Sequence, residues 1–212
     1  TALQLHALKV FQKLIQFHQK NKDFKALTDV NIQRLDYVLQ HATFSNKDEI
    51  HLQTLKDEIF NLKSNEIAAL YEFEIAEKTY QNGLQYDSKT NTENRWLTQE
   101  ALAIAENIIK RFPESKAAEK SKILKQKIVH KELQLTTETY IPIQQNSRFL
   151  VRYKNVENLE FTLYNLSKKQ LETYNKTYRE DERLKFIKSL KQHNNWSSNL
   201  KNENDYQSHT TE

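Results

Sequence analysis

Ile128-Val129-His130-Lys131-Glu132-Leu133-Gln134-Leu135-Thr136-Thr137 is the stretch where the chain changes period. Upstream, apolar residues recur at three- and four-residue steps, as in Leu124 and Ile128, which is the spacing of one helix face. Near residue 133 the step becomes two. Leu135, Thr137 and Thr139 share one face of a strand, and Pro142 interrupts the run as it would at an edge or bulge. The switch divides the chain into a helical domain, 1–132, and a β-domain, 133–212. The expected class is α+β.

Working back from the switch, six helices are expected. Residues 2–20 place Leu5, Leu8, Phe11, Leu14, Ile15 and His18 on one face. Thr28 is a candidate cap for a second helix with Ile32, Leu35, Val38 and Leu39. Ser45 with Asp48 resembles a capping pair for a third, through Leu52, Leu55 and Ile59. Ser64 opens a fourth, which Gly83 would end as a left-handed C′ residue. Thr92 or Asn94 starts a fifth that stops at Phe112-Pro113, and Ser115 caps a sixth. The connections are short, so successive helices should pack antiparallel. Ala76 to Gly83, then Ala101-Leu102-Ala103-Ile104-Ala105, Ile108-Ile109 and Phe112-Pro113-Glu114-Ser115, resembles a tetratricopeptide-like repeat, although its 34-residue period is not clean. An irregular helical bundle is the other reading.

Working forward, Phe149, Val151 and Tyr153 alternate with Arg148 and Arg152, and Leu159, Phe161 and Leu163 alternate with Glu160, Thr162 and Tyr164. These read as two antiparallel strands joined by a turn at residues 155–158. A polar helical excursion follows, with Leu184, Ile187 and Leu190 on one stripe and Phe186 beside it. Residues 206–212 read as a strand beginning. A sandwich of about 100 residues uses around seven strands. Three strands and the start of a fourth therefore point to a truncated sandwich, with edges and an apolar face left exposed.

Composition supports long helices and excludes several chemistries. The 212 residues include one glycine, two prolines, no cysteine and no methionine. So few turn residues do not suit an all-β or α/β fold. At 37% hydrophobic the core should be lean. No cysteine means no disulfide, thiolate nucleophile, Cys-ligated zinc or iron–sulfur cluster. No apolar run approaches the ~20 residues of a membrane span, and no signal peptide is visible. A chain opening at Thr1 reads as an excised or processed piece. The net charge of +4 is spread evenly, with 20 basic against 18 acidic residues up to residue 133 and 12 against 10 after it. One basic cluster, at Lys116, Lys120, Lys122, Lys125, Lys127 and Lys131, is tempered by Glu114, Glu119 and Glu132. It reads as a solvated helix face rather than a nucleic-acid stripe.

Ile141 to Val156, ending Tyr153-Lys154-Asn155-Val156, followed by Leu163-Tyr164-Asn165-Leu166-Ser167 and by Asp205-Tyr206-Gln207-Ser208-His209-Thr210-Thr211-Glu212, resembles the N-terminal region of bacterial alpha-2-macroglobulin-family proteins. In that family a helical, repeat-like segment precedes the first macroglobulin β-sandwich. The resemblance implies a large envelope protein, periplasmic or outer-membrane-anchored, that traps proteases. A bait segment is cut, the molecule collapses around the protease, and a thioester tethers it. The thioester needs a cysteine, so this chain would serve as scaffold or interaction region without catalytic residues or cofactors. Its expected partners are proteins: proteases through the parent, and adjacent domains of the same chain. A helical repeat adaptor for a protein partner is the alternative.

No catalytic pattern competes with that reading. His6, His18, His41, His51, His130, His193 and His209 show no metal-ligand spacing, and His18 reads as a core histidine. His209 between Tyr206 and Glu212 is the one conceivable relay. Asp48-Glu49 and Asp57-Glu58 read as first-turn and exposed charges. Asn165, Asn175 and Asn195 head glycosylation-type triplets. Tyr71, Phe73, Tyr80 and Trp96 either line a groove or pack in the core, and core packing is favoured.

Overall fold

A computed structural model describes residues 2–63, 65–138, 140 and 146–212. It is an α+β structure in two compact units. The helical unit comprises residues up to His130 together with 204–207; the β-unit comprises 131–203 and 208–212.

The helical unit contains α1 (Ala2–Asn21), α2 (Phe24–His41), α3 (Lys47–Asn61), α4 (Ala68–Gly83), α5 (Leu97–Arg111) and α6 (Lys116–Val129). Each packs on the next, and α4 also touches α6. Short loops bring each helix against the next, which covers its apolar stripe. Small residues set the closest approaches: Ala68, Ala69, Ala76, Ala101, Ala105, Ala117 and Ala118 have no exposed surface. Around them pack Leu55, Tyr71, Ile108, Leu124 and Ile128. The expected stripe of α1 packs against α2, and none of its residues is fully buried.

Several caps differ from expectation. Asp23, not Thr28, caps α2 by accepting from the Ala26 N–H, and Thr28 is buried inside the helix. The α3 cap position is Asn46, with no side-chain cap bond, so Ser45 and Asp48 form no capping pair. Ser64 lies outside the described residues; Asn65 instead accepts from the Ile67 and Ala68 N–H groups at the start of α4. Thr92–Asn94 is a separate 3-10 turn, and α5 starts at Leu97. Ser115 caps α6 as expected, accepting from the Ala118 N–H at 3.0 Å. Gly83 is the last residue of α4 and has no positive φ. A Cβ there would lie 2.5 Å from Thr98 Oγ1 and 2.8 Å from Thr98 N. Glycine is needed for close approach to α5, not for a left-handed cap.

Ion pairs and one carbonyl contact engage four of the six lysines of the basic cluster. Lys116 pairs with Asp29, Lys120 with Glu74 and Lys125 with Glu106, while Lys122 donates to the Pro113 carbonyl. Burial pushes the Glu74 carboxyl above its ordinary range, and the Lys120 ammonium opposes that rise.

The β-unit contains β1 (Glu132–Thr137), β2 (Phe149–Lys154), β3 (Asn158–Tyr164), α7 (Lys168–Lys176), α8 (Glu180–Ser189), β4 (Gln192–Asn199) and β5 (His209–Thr211). One sheet has the order β1-β2-β5 and a second pairs β3 with β4, all antiparallel. The expected β2–β3 hairpin is not formed. Residues 155–157 carry the chain from one sheet to the other, with Asn155 at φ 54°. Among the described residues there are five strands rather than three and a start. The addition is β4, whose sequence Gln-His-Asn-Asn-Trp-Ser-Ser-Asn is exposed throughout and carries no apolar alternation. The helical excursion is two short helices, each without a buried residue. Thr139 and Pro142 lie outside the described residues.

Lys154 ends β2 with its side chain 8% exposed and 4.0 Å from Glu132. Burial lowers its ammonium below the ordinary 10.5, and Glu132 partly restores it. A group whose folded value is lowered is less protonated in the fold than in the unfolded chain. Stability of this unit should therefore rise with pH between the lowered value and 10.5. Denaturant unfolding from neutral to alkaline pH checks this: Lys154→Gln flattens the slope, and an unchanged slope would show the lysine is not responsible.

Candidate functional site

Two places gather enough side chains to act as sites, one in each unit, and a third feature sits beside α4 and α5.

In the β-unit the two sheets face each other across a small apolar core of Val151, Tyr153, Leu159 and Leu200. Phe149 of β2 meets Phe161 of β3 at 5.7 Å, and Trp196 of β4 stacks on Phe161 at 5.1 Å with the rings 6° from parallel. A cavity of about 530 Å³ remains between these rings, Val151 and Thr211, with Arg148 and Glu212 paired at its margin. Leu133 and Leu135 oppose Tyr153 and Val151 in register, so they share that inner face. Yet they stay 48% and 44% exposed, and among the described residues the second sheet has two strands. A two-stranded sheet is marginal on its own in water. The cleft is thus a partly filled layer, with apolar walls from Phe149, Val151, Leu159, Phe161, Trp196 and Leu200 and polar ones from Ser147, Arg148, Ser198, Asn199, Thr211 and Glu212.

In the helical unit a polar cluster joins α2, α3 and α4. Asn31 Nδ2 donates to Tyr71 Oη at 2.8 Å and to Glu58 Oε1 at 3.0 Å, while Arg34 donates twice to Asn31 Oδ1. Burial raises the Tyr71 phenol above its ordinary value, with the Asn31 bond opposing. Tyr71→Phe removes the phenol's hydrogen bonds to Asn31 and Thr28 and leaves Asn31 its link to Glu58, so a loss of about 1–2 kcal/mol is expected. Asn31→Leu breaks the whole cluster and should cost more. Thermal unfolding of the two variants ranks them, and equal losses would mean the cluster does not act as a unit.

The third feature is a clasp. Residues 204–207, between β4 and β5 in sequence, pack with the helical unit. Asp205, 1% exposed, takes a 2.9 Å bond from Arg95 Nε. Gln207 Nε2 donates within 3.0–3.1 Å to the carbonyls of Gly83 and Arg95 and to Thr98 Oγ1. Asn204 and Tyr206 hold φ of 57° and 56°, a conformation few non-glycine residues adopt. No pattern along the chain announces this. The segment reads as strand entry, but only 209–211 is strand.

The residues singled out from the sequence are not brought together into a reaction centre. His6 and His41 contact carbonyls one turn back in their own helices, and His18 is half-buried on α1. His51 is buried between α2 and α3. His130 caps α6, and His193 lies on β4. His209 tilts against Tyr153 at 5.7 Å, Tyr206 packs on the helical core and Glu212 pairs with Arg148. Asp48 pairs with Lys78, whose hydrogen bond holds its carboxyl below the ordinary range. Asp57 accepts from Gln53, and Glu58 from Asn31. Tyr71, Phe73 and Tyr80 are core residues, and Trp96 is half-exposed beneath the Arg95 guanidinium. They line no common groove. Asn165, Asn175 and Asn195 are all exposed. Among the described residues no three His, Asp or Glu side chains are placed to share a metal ion, and no helix is long and apolar enough to cross a membrane. Comparison with protein-family models, curated proteins and solved structures finds no match.

Proposed function

We propose that this chain is the non-catalytic N-terminal region of a macroglobulin-like protease trap of the bacterial envelope, where it serves as scaffold and interaction surface. The observation that carries the reading is the β-unit: two facing sheets with an unfilled apolar layer and an uncovered strand face, following a run of paired helices. The sequence likeness at Tyr153–Val156, Leu163–Ser167 and Asp205–Glu212 supports it. In this reading further strands of the parent protein close the sandwich over Leu133 and Leu135.

Two measurements test it. The full-length protein is incubated with a trypsin-like protease, and hydrolysis of a small peptide and of a large protein substrate is followed side by side. Loss of activity on the large substrate alone is the expected result; equal activity on both overturns the trap. Separately, a version of the chain carrying further strands should melt about 5–10 °C higher through added apolar burial. No gain would mean the β-unit is already complete.

A tetratricopeptide-like adaptor is the second reading, favoured by the alanine-lined contacts of α4, α5 and α6 and by the contact of α4 with α6. It expects a defined protein partner for the helical unit and equal activity in the two protease assays.

A further inference from the structure

Helix α1 leaves a stripe of its apolar side chains uncovered. Its packing side holds Phe11, whose ring lies 5.7 Å from that of Tyr37 in α2. Beside that contact, within an arc of about 60° at 3.6 residues per turn, come Leu3, Val10, Leu14 and Phe17. Leu3, Val10 and Phe17 are 82%, 56% and 59% exposed. The adjoining arc is basic: His6, Lys9, Lys13 and Lys20, all exposed. No acidic residue occurs between Ala2 and Asn21. Among the described residues Lys9, Lys13 and Lys20 form no ion pair, whereas Lys116, Lys120 and Lys125 on α6 each do. Positive charge thus stands uncompensated along an uncovered apolar stripe.

We propose that this face of α1 lies on an anionic lipid surface, with the helix axis in the plane of the membrane. Spacing separates this occupant from a protein helix. Leu3, Val10 and Phe17 stand seven residues apart, and His6, Lys13 and Lys20 each follow three residues later. A partner helix seated along this face needs both series apolar, and here the second is basic throughout. A second copy of α1 would bring the same positive charge to the seam. A bilayer takes both series at once. The apolar side chains enter the boundary between headgroups and acyl chains, as on helices that lie in an interface. The lysine stems run along the surface and set their ammonium groups at the level of the phosphates. Charge complementarity then selects the lipid: each lysine near an anionic leaflet strengthens binding about fivefold, and a zwitterionic surface offers no such gain. The helix need not leave α2, because neither arc includes Phe11, which holds the contact to Tyr37.

The probe is vesicles of phosphatidylcholine and phosphatidylglycerol in equal amounts, floated with the full chain at low and high salt. Vesicles of phosphatidylcholine alone are the control. The expected result is an association constant of about 10³–10⁴ M⁻¹ in lipid, up to that of one myristoyl chain. It should exceed the control at least about tenfold and weaken with salt. The triple variant Lys9→Gln, Lys13→Gln, Lys20→Gln should bind about 100-fold more weakly, and Phe17→Ser about tenfold. Lys122→Gln with Lys131→Gln, in the other basic stretch, should leave binding unchanged. The four altered side chains of α1 are exposed, and circular dichroism checks that the helices remain; Phe17→Ser alone decides the case where the triple variant fails to fold. No flotation with the anionic vesicles, equal binding to both vesicles, or binding that the α1 variants leave unchanged overturns the proposal. So does a dimer, in lipid-free sedimentation velocity, that Phe17→Ser dissociates, since it gives the face to a second copy. None of these outcomes bears on protease trapping.

Discussion

Arg95→Leu should lower the stability of the helical unit by about 2–4 kcal/mol, among the largest losses from any single substitution here. Removing one partner of a buried ion pair costs about 3–5 kcal/mol, because the remaining charge keeps its desolvation penalty without its counter-ion. The upper end is discounted since the Arg95 side chain is 29% exposed, whereas Asp205 is 1% exposed. The same substitution leaves the Arg95 carbonyl in place to accept from Gln207, so the loss isolates the guanidinium. Arg95→Lys keeps a charge but not the planar fork and should cost about 1 kcal/mol. Asp205→Asn removes the buried charge, and in the double variant Arg95→Leu with Asp205→Asn the loss should fall well short of the sum. Such non-additivity is the mark of a direct pair. Denaturant unfolding gives the four values, and hydrogen exchange at α4 and α5 shows where protection is lost. A loss below about 0.5 kcal/mol for Arg95→Leu would mean that residues 204–207 do not hold to the helices as described.

How far such features can be read from sequence depends on whether they leave a periodic trace. The six helices do, because each turns one apolar stripe toward its neighbour at the 3.6-residue repeat. The switch to strand at Leu133 does as well, since Leu133 and Leu135 alternate with polar residues. Caps are less legible. Ser115 stands next to a proline stop and reads cleanly, whereas Thr28 competes with Asp23 five residues earlier, and only the fold shows Thr28 inside the helix. Strand β4 leaves almost no trace: its only aromatic residue is Trp196, and it is a strand because β3 pairs with it. The β2–β3 connection looks like a hairpin because both strands alternate correctly, and alternation is silent on which sheet a strand joins. The clasp is invisible for a different reason. Asp205 and Gln207 are 110 and 109 residues from Arg95 and Thr98, and one carboxylate and one amide make no pattern. His51 belongs to no ligand-like spacing, and its burial is evident only in three dimensions.

Gly83→Ala carries the other large expectation, and here two principles predict opposite signs. On helix propensity alone alanine at the end of α4 should help, by up to about 1 kcal/mol. Packing opposes it. A Cβ at position 83 would lie 2.5 Å from Thr98 Oγ1, 2.8 Å from Thr98 N and 3.3 Å from the Leu97 carbonyl carbon. Two of these neighbours are backbone of the first turn of α5, which cannot rotate aside as a side chain does. The helices must part, at an overpacking cost of about 3 kcal/mol, so a net loss of about 2 kcal/mol is expected. Parting α4 from α5 also spreads the Gly83 carbonyl and Thr98 hydroxyl that together receive Gln207 Nε2. Gly83→Ala and Gln207→Ala should then be less than additive, since the first already weakens what the second removes. Thr98→Ala in the Gly83→Ala background relieves the hydroxyl contact and leaves the 2.8 Å backbone contact, so it should restore only part of the loss. Full restoration would place the conflict in the Thr98 side chain alone. A Gly83→Ala protein that melts higher than the parent chain would mean that α4 and α5 are not in close contact at this point.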